Sequence, residues 1–125
     1  MKRLLLDTHV FLWWRAGGLD LSRAALDAIR EADVVYVSVA SAWEAAIQVG
    51  LGRLHLPGRF EDGVLDSRFE PLAISFGHAE ETARLPHLHR DPFDRMLVAQ
   101  ARVDGLTLVT RDPEVLAYDV AVLLA

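Results

Sequence analysis

The 125-residue chain has no cysteine, and lysine is nearly as scarce: of thirteen basic residues, twelve are arginine and only Lys2 is lysine. Without cysteine there is neither a disulfide framework nor a thiolate metal site. Positive charge is also in deficit. The formal net charge of −5 argues against broad electrostatic attraction for nucleic acid. The arginine skew favours bidentate contacts to phosphate or carboxylate, although a GC-rich genome produces the same skew. Long apolar runs are missing too. The smoothest, Val34 to Trp43, is far shorter than the roughly 20 residues that span a bilayer. Met1-Lys2-Arg3-Leu4-Leu5-Leu6 imitates a signal peptide, but Asp7 and His9 interrupt it and no small-residue cleavage site follows. A cytoplasmic protein without a membrane contact is expected. Repeats, linkers and low-complexity segments are absent from the sequence.

What is present is apolar and alternating. With 52% hydrophobic residues, the chain has the material for one core, so residues 1–125 are read as a single domain. Arg3 to Leu6 is a strand ending at Asp7, with a helix through Trp14 that Gly17-Gly18 breaks. Ser22 caps a second helix with Ala25, Leu26 and Ile29 on one face. Val34 to Val39 is continuous and β-prone, as expected of a strand covered on both faces. Ser41 is read as opening a third helix with a stripe of Trp43, Ala46, Ile47 and Leu51. A weaker helix over Phe60–Phe69, a short strand at Leu72-Ala73-Ile74 and a helix over His78–Leu85 follow. The last third reads as helix, strand (Leu106–Thr110), a short helix after Arg111-Asp112-Pro113, and an edge strand at Val120–Leu123. Strands alternating with helices predict an α/β/α sandwich around a parallel sheet of about five strands.

The chemistry centres on Asp91-Pro92-Phe93-Asp94-Arg95 and the apolar stretch behind it. Asp91 followed by Pro92 is a helix start, a side-chain cap and then the position where a missing N–H costs nothing. Asp94 then lies in the first turn, and Gly105 closes the helix. The helix is apolar nearly all round, so it should be buried. Ligands of parallel α/β sheets bind beyond the carboxyl ends of the strands. Asp7 ends the first strand, Asp112 follows the fourth, Glu44 lies in the helix after the second and Asp94 heads the helix before the fourth. All four acids therefore point to one rim. Each also has a local excuse, since Asp7 and Asp112 suit helix caps and Ser41-x-x-Glu44 matches a capping box. Four separate caps on one rim is the less economical arrangement. Converging carboxylates must take up protons or a cation, and an all-oxygen set suits Mg²⁺ or Mn²⁺. Such ions activate water against a phosphodiester, leaving 5′-phosphate and 3′-hydroxyl ends without needing a ribose 2′-OH.

Leu5-Leu6-Asp7-Thr8-His9, Ser41-x-x-Glu44, Asp91-Pro92-Phe93-Asp94-Arg95 and Thr110-Arg111-Asp112 together resemble the PIN-domain ribonucleases. More narrowly, they resemble the VapC-type toxins of bacterial toxin–antitoxin pairs. The resemblance covers essentially the whole chain. It implies a Mg²⁺- or Mn²⁺-dependent endoribonuclease that cleaves RNA, forms a homodimer and is held inactive by a VapB-type antitoxin. The family's acids map onto Asp7, Glu44, Asp94 and Asp112 as catalytic metal ligands, with Thr110 a candidate for positioning a ligand or water. Asp91 belongs to the Asp-Pro-Phe-Asp-Arg variant of the motif, and its contact with metal is left open.

Accessory residues carry two readings each. His87 and His89 contact RNA or metal, or are incidental loop histidines. Arg90, Arg95 and Arg111 hold phosphates or pair with the surplus carboxylates. Thr8 helps cap the first helix. Of Trp13 and Trp14, one packs inward and the other, with Phe11 or Leu12, forms an apolar patch for an antitoxin or a second copy. A response-regulator receiver domain needs an aspartate after the third strand, where Ser75 stands, and a late lysine that does not exist. A phosphoaspartate phosphatase needs an aspartate where His9 stands. The surviving rival is a catalytically silent PIN-fold module that acts through antitoxin binding and operon autoregulation.

Overall fold

A computed structural model describes residues 2–125. Its twelve elements alternate as expected. They are β1 (Arg3–Leu6), α1 (Thr8–Arg15), α2 (Arg23–Glu31), β2 (Val34–Ser38), α3 (Val39–Gly50), α4 (Phe60–Asp66), β3 (Glu70–Leu72), α5 (Phe76–Arg84), α6 (Pro92–Asp104), β4 (Thr107–Thr110), a 3₁₀ turn (Val115–Ala117) and β5 (Val122–Leu124). All strand pairs are parallel, in the order β3-β2-β1-β4-β5. The chain winds outward from β1 to β3, then returns to the other side for β4 and β5. The direction of winding thus reverses between β1 and β4, which opens a crevice at their carboxyl ends.

Side-chain alternation along each strand divides the core in two. Leu4, Leu6, Val35, Val37 and Val109 pack on Phe11, Ala25 and Ile29 of α1 and α2. Leu5 and Leu108 face Leu97, Val98 and Ala101 of α6, with Leu85, Val115 and Tyr118 around them. Ser22 ties α2 down at its start: its hydroxyl accepts from the Ala25 N–H (3.1 Å) and donates to the Leu124 carbonyl (3.0 Å) of edge strand β5. Ser22→Ala removes both, so an unfolding free energy lower by about 1 kcal/mol is expected in urea titration. Among the described residues, no helix is long and apolar enough to cross a membrane.

Several local expectations need correction. Helix α3 begins at Val39, not Ser41, because the Ser38 hydroxyl ends β2 by capping the Ala40 N–H at 3.0 Å. The face expected to be its apolar stripe is turned outward, with Trp43 62% and Leu51 58% exposed. Small residues (Ala40, Ser41 and Ala45) form the buried face and let α3 lie close to α1 and α6. β3 lies two residues earlier than expected, with Pro71 tolerated because the strand is at an edge. No α-helix follows Asp112; its carboxylate instead accepts from the Glu114 N–H (2.9 Å), forming a turn, and only the 3₁₀ segment follows. Phe11 is core, not patch. Trp14 packs against Phe69, and Trp13 lies beneath the Arg111 guanidinium, 4.4 Å from its carbon to the ring centroid. Helix α6 is buried over Leu97–Ala101, but Val103 is exposed.

Candidate active site

A cleft of about 330 Å³ at the carboxyl ends of β1 and β4 is lined by Asp7, Glu44, Asp91, Asp94 and Asp112, together with His9, Trp13 and Arg111. The four acids expected to converge therefore share one cavity. How each is held separates a shared site from a set of helix caps. Asp7 sits at the N-cap position of α1 with extended backbone, yet its side chain caps nothing. Its N–H is held by the Val109 carbonyl (3.0 Å), and its carboxylate accepts from the Thr110 hydroxyl at 2.7 Å. Glu44 lies midway along α3, so the expected capping box with Ser41 does not form. Ser41 is fully buried beside Thr8, and the Thr8 hydroxyl donates to the Glu44 carboxylate at 2.6 Å. Thr8 thus aims an acid of α3 rather than capping α1. Of the two acids at the head of α6, Asp91 alone does the capping, accepting from the Phe93 (2.8 Å) and Asp94 (3.4 Å) N–H groups. Asp94 is left free of the backbone.

Thr110 links the acids across the crevice. Fully buried at the end of β4, it donates to Asp7 and accepts from the Asp112 N–H at 3.1 Å. Asp94 and Asp112 meet at His89, whose Nε2 lies 2.9 Å from an oxygen of each. The other ring nitrogen, Nδ1, is 2.9 Å from Glu114 and 3.2 Å from the Asp91 N–H. The His89 N–H donates to the Tyr118 hydroxyl (2.9 Å). His89 is therefore partnered at both ring nitrogens, unlike an incidental loop histidine. His87 lies instead on a neighbouring groove. Glu114 and Tyr118 carry no sequence signal at all: they reach His89 from a turn that only the fold brings near.

The electrostatics follow from burial and crowding. Burial raises the Asp7 and Glu44 carboxyls above the ordinary range, only partly offset by the hydroxyls of Thr110 and Thr8. Asp94 is pushed up to about 8 by burial and then by repulsion from Asp7, Asp91 and Asp112, against the opposing pull of His89. Burial also pushes Asp112 upward, but the Glu114 N–H and His89 outweigh it and its carboxyl ends below the usual value. Burial disfavours the His89 imidazolium, yet Asp112, Asp94 and Glu114 raise it overall. Of the three arginines expected near the acids, Arg90 lies on the neighbouring groove, and neither Arg95 nor Arg111 pairs with an acid. Arg95 donates to the carbonyls of Thr82, Leu85 and Pro86 and to the Tyr118 hydroxyl. Arg111 donates to the Ala125 and Asp20 carbonyls while stacked on Trp13. In both cases backbone carbonyls outcompete the acids, because the loops that need holding lie closer. Desolvated, mutually repelling oxygen donors with no guanidinium or ammonium paired to them fit a hard divalent cation. The donor atoms of His89, Asp94 and Asp112 lie within 4.8 Å of one another.

Residues 4–121 match the PIN domain. The chain belongs to the PIN-domain family. Ribonuclease VapC22 of Mycobacterium tuberculosis is 35% identical over 115 residues, covering 90% of this chain and 88% of that protein. Among solved structures, VapBC2 of Rickettsia felis, bound to a DNA fragment from its promoter, aligns with a TM-score of 0.74. Its identity is 15%, over 98% of each chain. VapBC-5 of M. tuberculosis aligns with a TM-score of 0.62 and 23% identity over 99% of this chain and 98% of that one. These two likenesses are of fold. The five-stranded parallel sheet between helices is thus a PIN sheet, and the crevice between β1 and β4 is where this PIN domain gathers its acids.

Proposed function

We propose that the chain, as a single PIN domain over residues 1–125, is the toxin of a type II toxin–antitoxin pair. Its activity is that of a divalent-metal-dependent endoribonuclease with Asp7, Glu44, Asp94 and Asp112 as the metal-holding catalytic residues. One observation carries the reading: Asp7 and Asp94 stand at helix starts without capping them, Glu44 projects from the middle of α3, and all three are spent on one cleft. A cation such as Mg²⁺ or Mn²⁺, when bound, polarises water and stabilises the charge that develops on the phosphodiester. The chain's own work is positioning. Thr110 orients Asp7, Thr8 orients Glu44, and the head of α6 presents Asp94 without engaging it.

A second groove of about 780 Å³ begins at His89 and is lined by Trp43, Phe93, His87 and Arg90. Trp43 and Phe93 meet edge to face with centroids 5.1 Å apart. Aromatic faces beside an arginine suit single-stranded RNA, whose bases stack and whose phosphates need a cation. A VapB-type antitoxin as partner is supported by the VapC and VapBC names of the relatives, and a homodimer is proposed with it. The soluble cytoplasm is the proposed location.

The test is cleavage of a mixed pool of structured RNAs by antitoxin-free protein with Mg²⁺, with Mn²⁺ and with chelator. Cuts that require metal, leave 5′-phosphate ends and disappear in Asp7→Asn are expected. Folded protein that leaves every RNA intact and binds no ion in calorimetry would replace this reading with the silent binding module.

A further inference from the structure

His89 is bound more tightly into the cleft than a loop histidine needs to be. Its side chain is only 12% exposed, with Nε2 2.9 Å from both Asp94 and Asp112 and Nδ1 2.9 Å from Glu114. We propose that His89 is itself a ligand of the cation, through Nε2, with Glu114 holding Nδ1–H, and that this nitrogen makes the cleft select Mn²⁺ over Mg²⁺. The inference rests on the metal-dependent reading of the same cleft.

The ring geometry supports it. A single Nε2–H serves one acceptor well, and here two carboxylate oxygens converge on that atom. Nδ1 has two mutually exclusive partners. The Asp91 N–H at 3.2 Å hydrogen-bonds its lone pair, while the Glu114 carboxylate oxygen, an ion-pair neighbour at 2.9 Å, calls for a proton there. Each partner selects one tautomer. With the proton on Nδ1, Nε2 turns a lone pair into the space that the Asp94 and Asp112 oxygens also face. A carboxylate on the far nitrogen is the common support of a metal-binding histidine; it fixes the tautomer and raises the ligand's basicity. Glu114 owes its place to the turn that Asp112 makes with the Glu114 N–H, so one loop delivers both a ligand and its support.

Ligand chemistry then gives the selectivity. Mg²⁺ is held by oxygen and gives up its waters reluctantly. First-row transition ions accept imidazole more readily. Four carboxylates alone barely separate Mg²⁺ from Mn²⁺, whereas a nitrogen donor does.

The full-length, antitoxin-free, chelator-stripped protein is titrated with Mn²⁺, following the free ion by electron paramagnetic resonance, and Mg²⁺ is measured by competition. His89→Ala is expected to weaken Mn²⁺ binding about tenfold or more while changing Mg²⁺ binding much less, and Glu114→Gln to weaken Mn²⁺ about tenfold. Pulsed resonance on bound Mn²⁺ should detect one coupled imidazole nitrogen in the unmodified protein and none in His89→Ala. Absence of that coupling, or tighter binding of both ions in His89→Ala, would overturn the proposal and leave His89 as a mere counter-ion to the acids. Asp94→Asn keeps the two failures apart. If it binds Mn²⁺ as well as the unmodified protein, the cleft itself is not the metal site, whatever His89 does. Should His89→Ala not fold, the nitrogen coupling in the unmodified protein decides alone.

Discussion

Asp94→Asn is expected to slow RNA cleavage about a thousandfold, the scale of losing a main electrostatic element of a catalytic site, while making the metal-free protein more stable. The two effects share a cause. Asparagine has the shape of aspartate, so packing at the head of α6 is retained. What goes is a negative charge that burial and three neighbouring carboxylates oppose so strongly that the group is pushed up to about 8. Above that pH the wild-type side chain is ionised, and the neutral isostere should be more stable by about 1 kcal/mol. Near pH 6 the wild-type carboxyl already holds its proton, and the gain should vanish. Chelated protein melted at pH 6 and pH 9, with cleavage measured in parallel on a fixed RNA pool, tests both halves. A variant that cleaves normally would remove Asp94 from the catalytic set. One that melts below wild type at pH 9 would refute the account of stored repulsion.

This opposition between function and stability also marks where the sequence was readable. The start of α6 was legible because its rules are local: Asp91 supplies the cap, Pro92 tolerates the first turn and Gly105 adopts the left-handed conformation that ends the helix (φ 68°). The five strands, though not their order in the sheet, followed from apolar blocks separated by helices. The start of α3 was not legible, because two local signals agreed on a wrong answer. Val39 prolongs the β-prone run, and Ser41-x-x-Glu44 satisfies the pattern of a capping box. The outcome depends instead on packing: Ala40, Ser41 and Ala45 are small enough to bring α3 against α1 and α6, and that contact turns Glu44 to Thr8.

His89 shows the same limit from the other side. Its three acidic partners come from the first turn of α6 and from the turn after β4, so no spacing in the sequence relates them. The carboxylate pairing expected of Arg95 and Arg111 did not form for a similar reason. Arg111 adjoins Asp112 in sequence, yet its guanidinium is drawn to the Ala125 and Asp20 carbonyls and to the face of Trp13. Adjacency in sequence proposed a charge pair, and competition for a donor-rich side chain decided otherwise. The acids were legible as a group because the topology of a parallel sheet alone assigns them to one rim.

The metal-free protein should be most stable in mildly acidic solution and should lose about 2 kcal/mol, roughly 8 °C in Tm, between pH 6 and pH 9. Asp94 sets the sign. Its carboxyl is raised from 3.8 to about 8, so across that window the folded state keeps a proton that the unfolded chain has released. Stability therefore falls as pH rises through it. Asp7 and Glu44, also raised, act in the same direction, their contribution being lost as pH rises through their folded values. His89, raised above its ordinary 6.5, acts in the same direction, since its contribution is present below 6.5 and lost as pH rises through the folded value. Asp112 alone runs the other way: its lowered carboxyl stabilises the fold above 3.8 and loses that effect only in stronger acid. Solvent reaching the Asp94 carboxyl and sharing of its proton with His89 keep the loss well below full conversion of the shift. A divalent cation competes with those protons, so the rise in Tm that it produces should grow from pH 6 to pH 9. Thermal melts in chelator and in saturating Mn²⁺ across the range measure it. A chelated Tm that stays level, or a cation increment that is the same at both ends, would mean that the carboxylates are not poised as a group and that the cleft stores no charge for a metal to relieve.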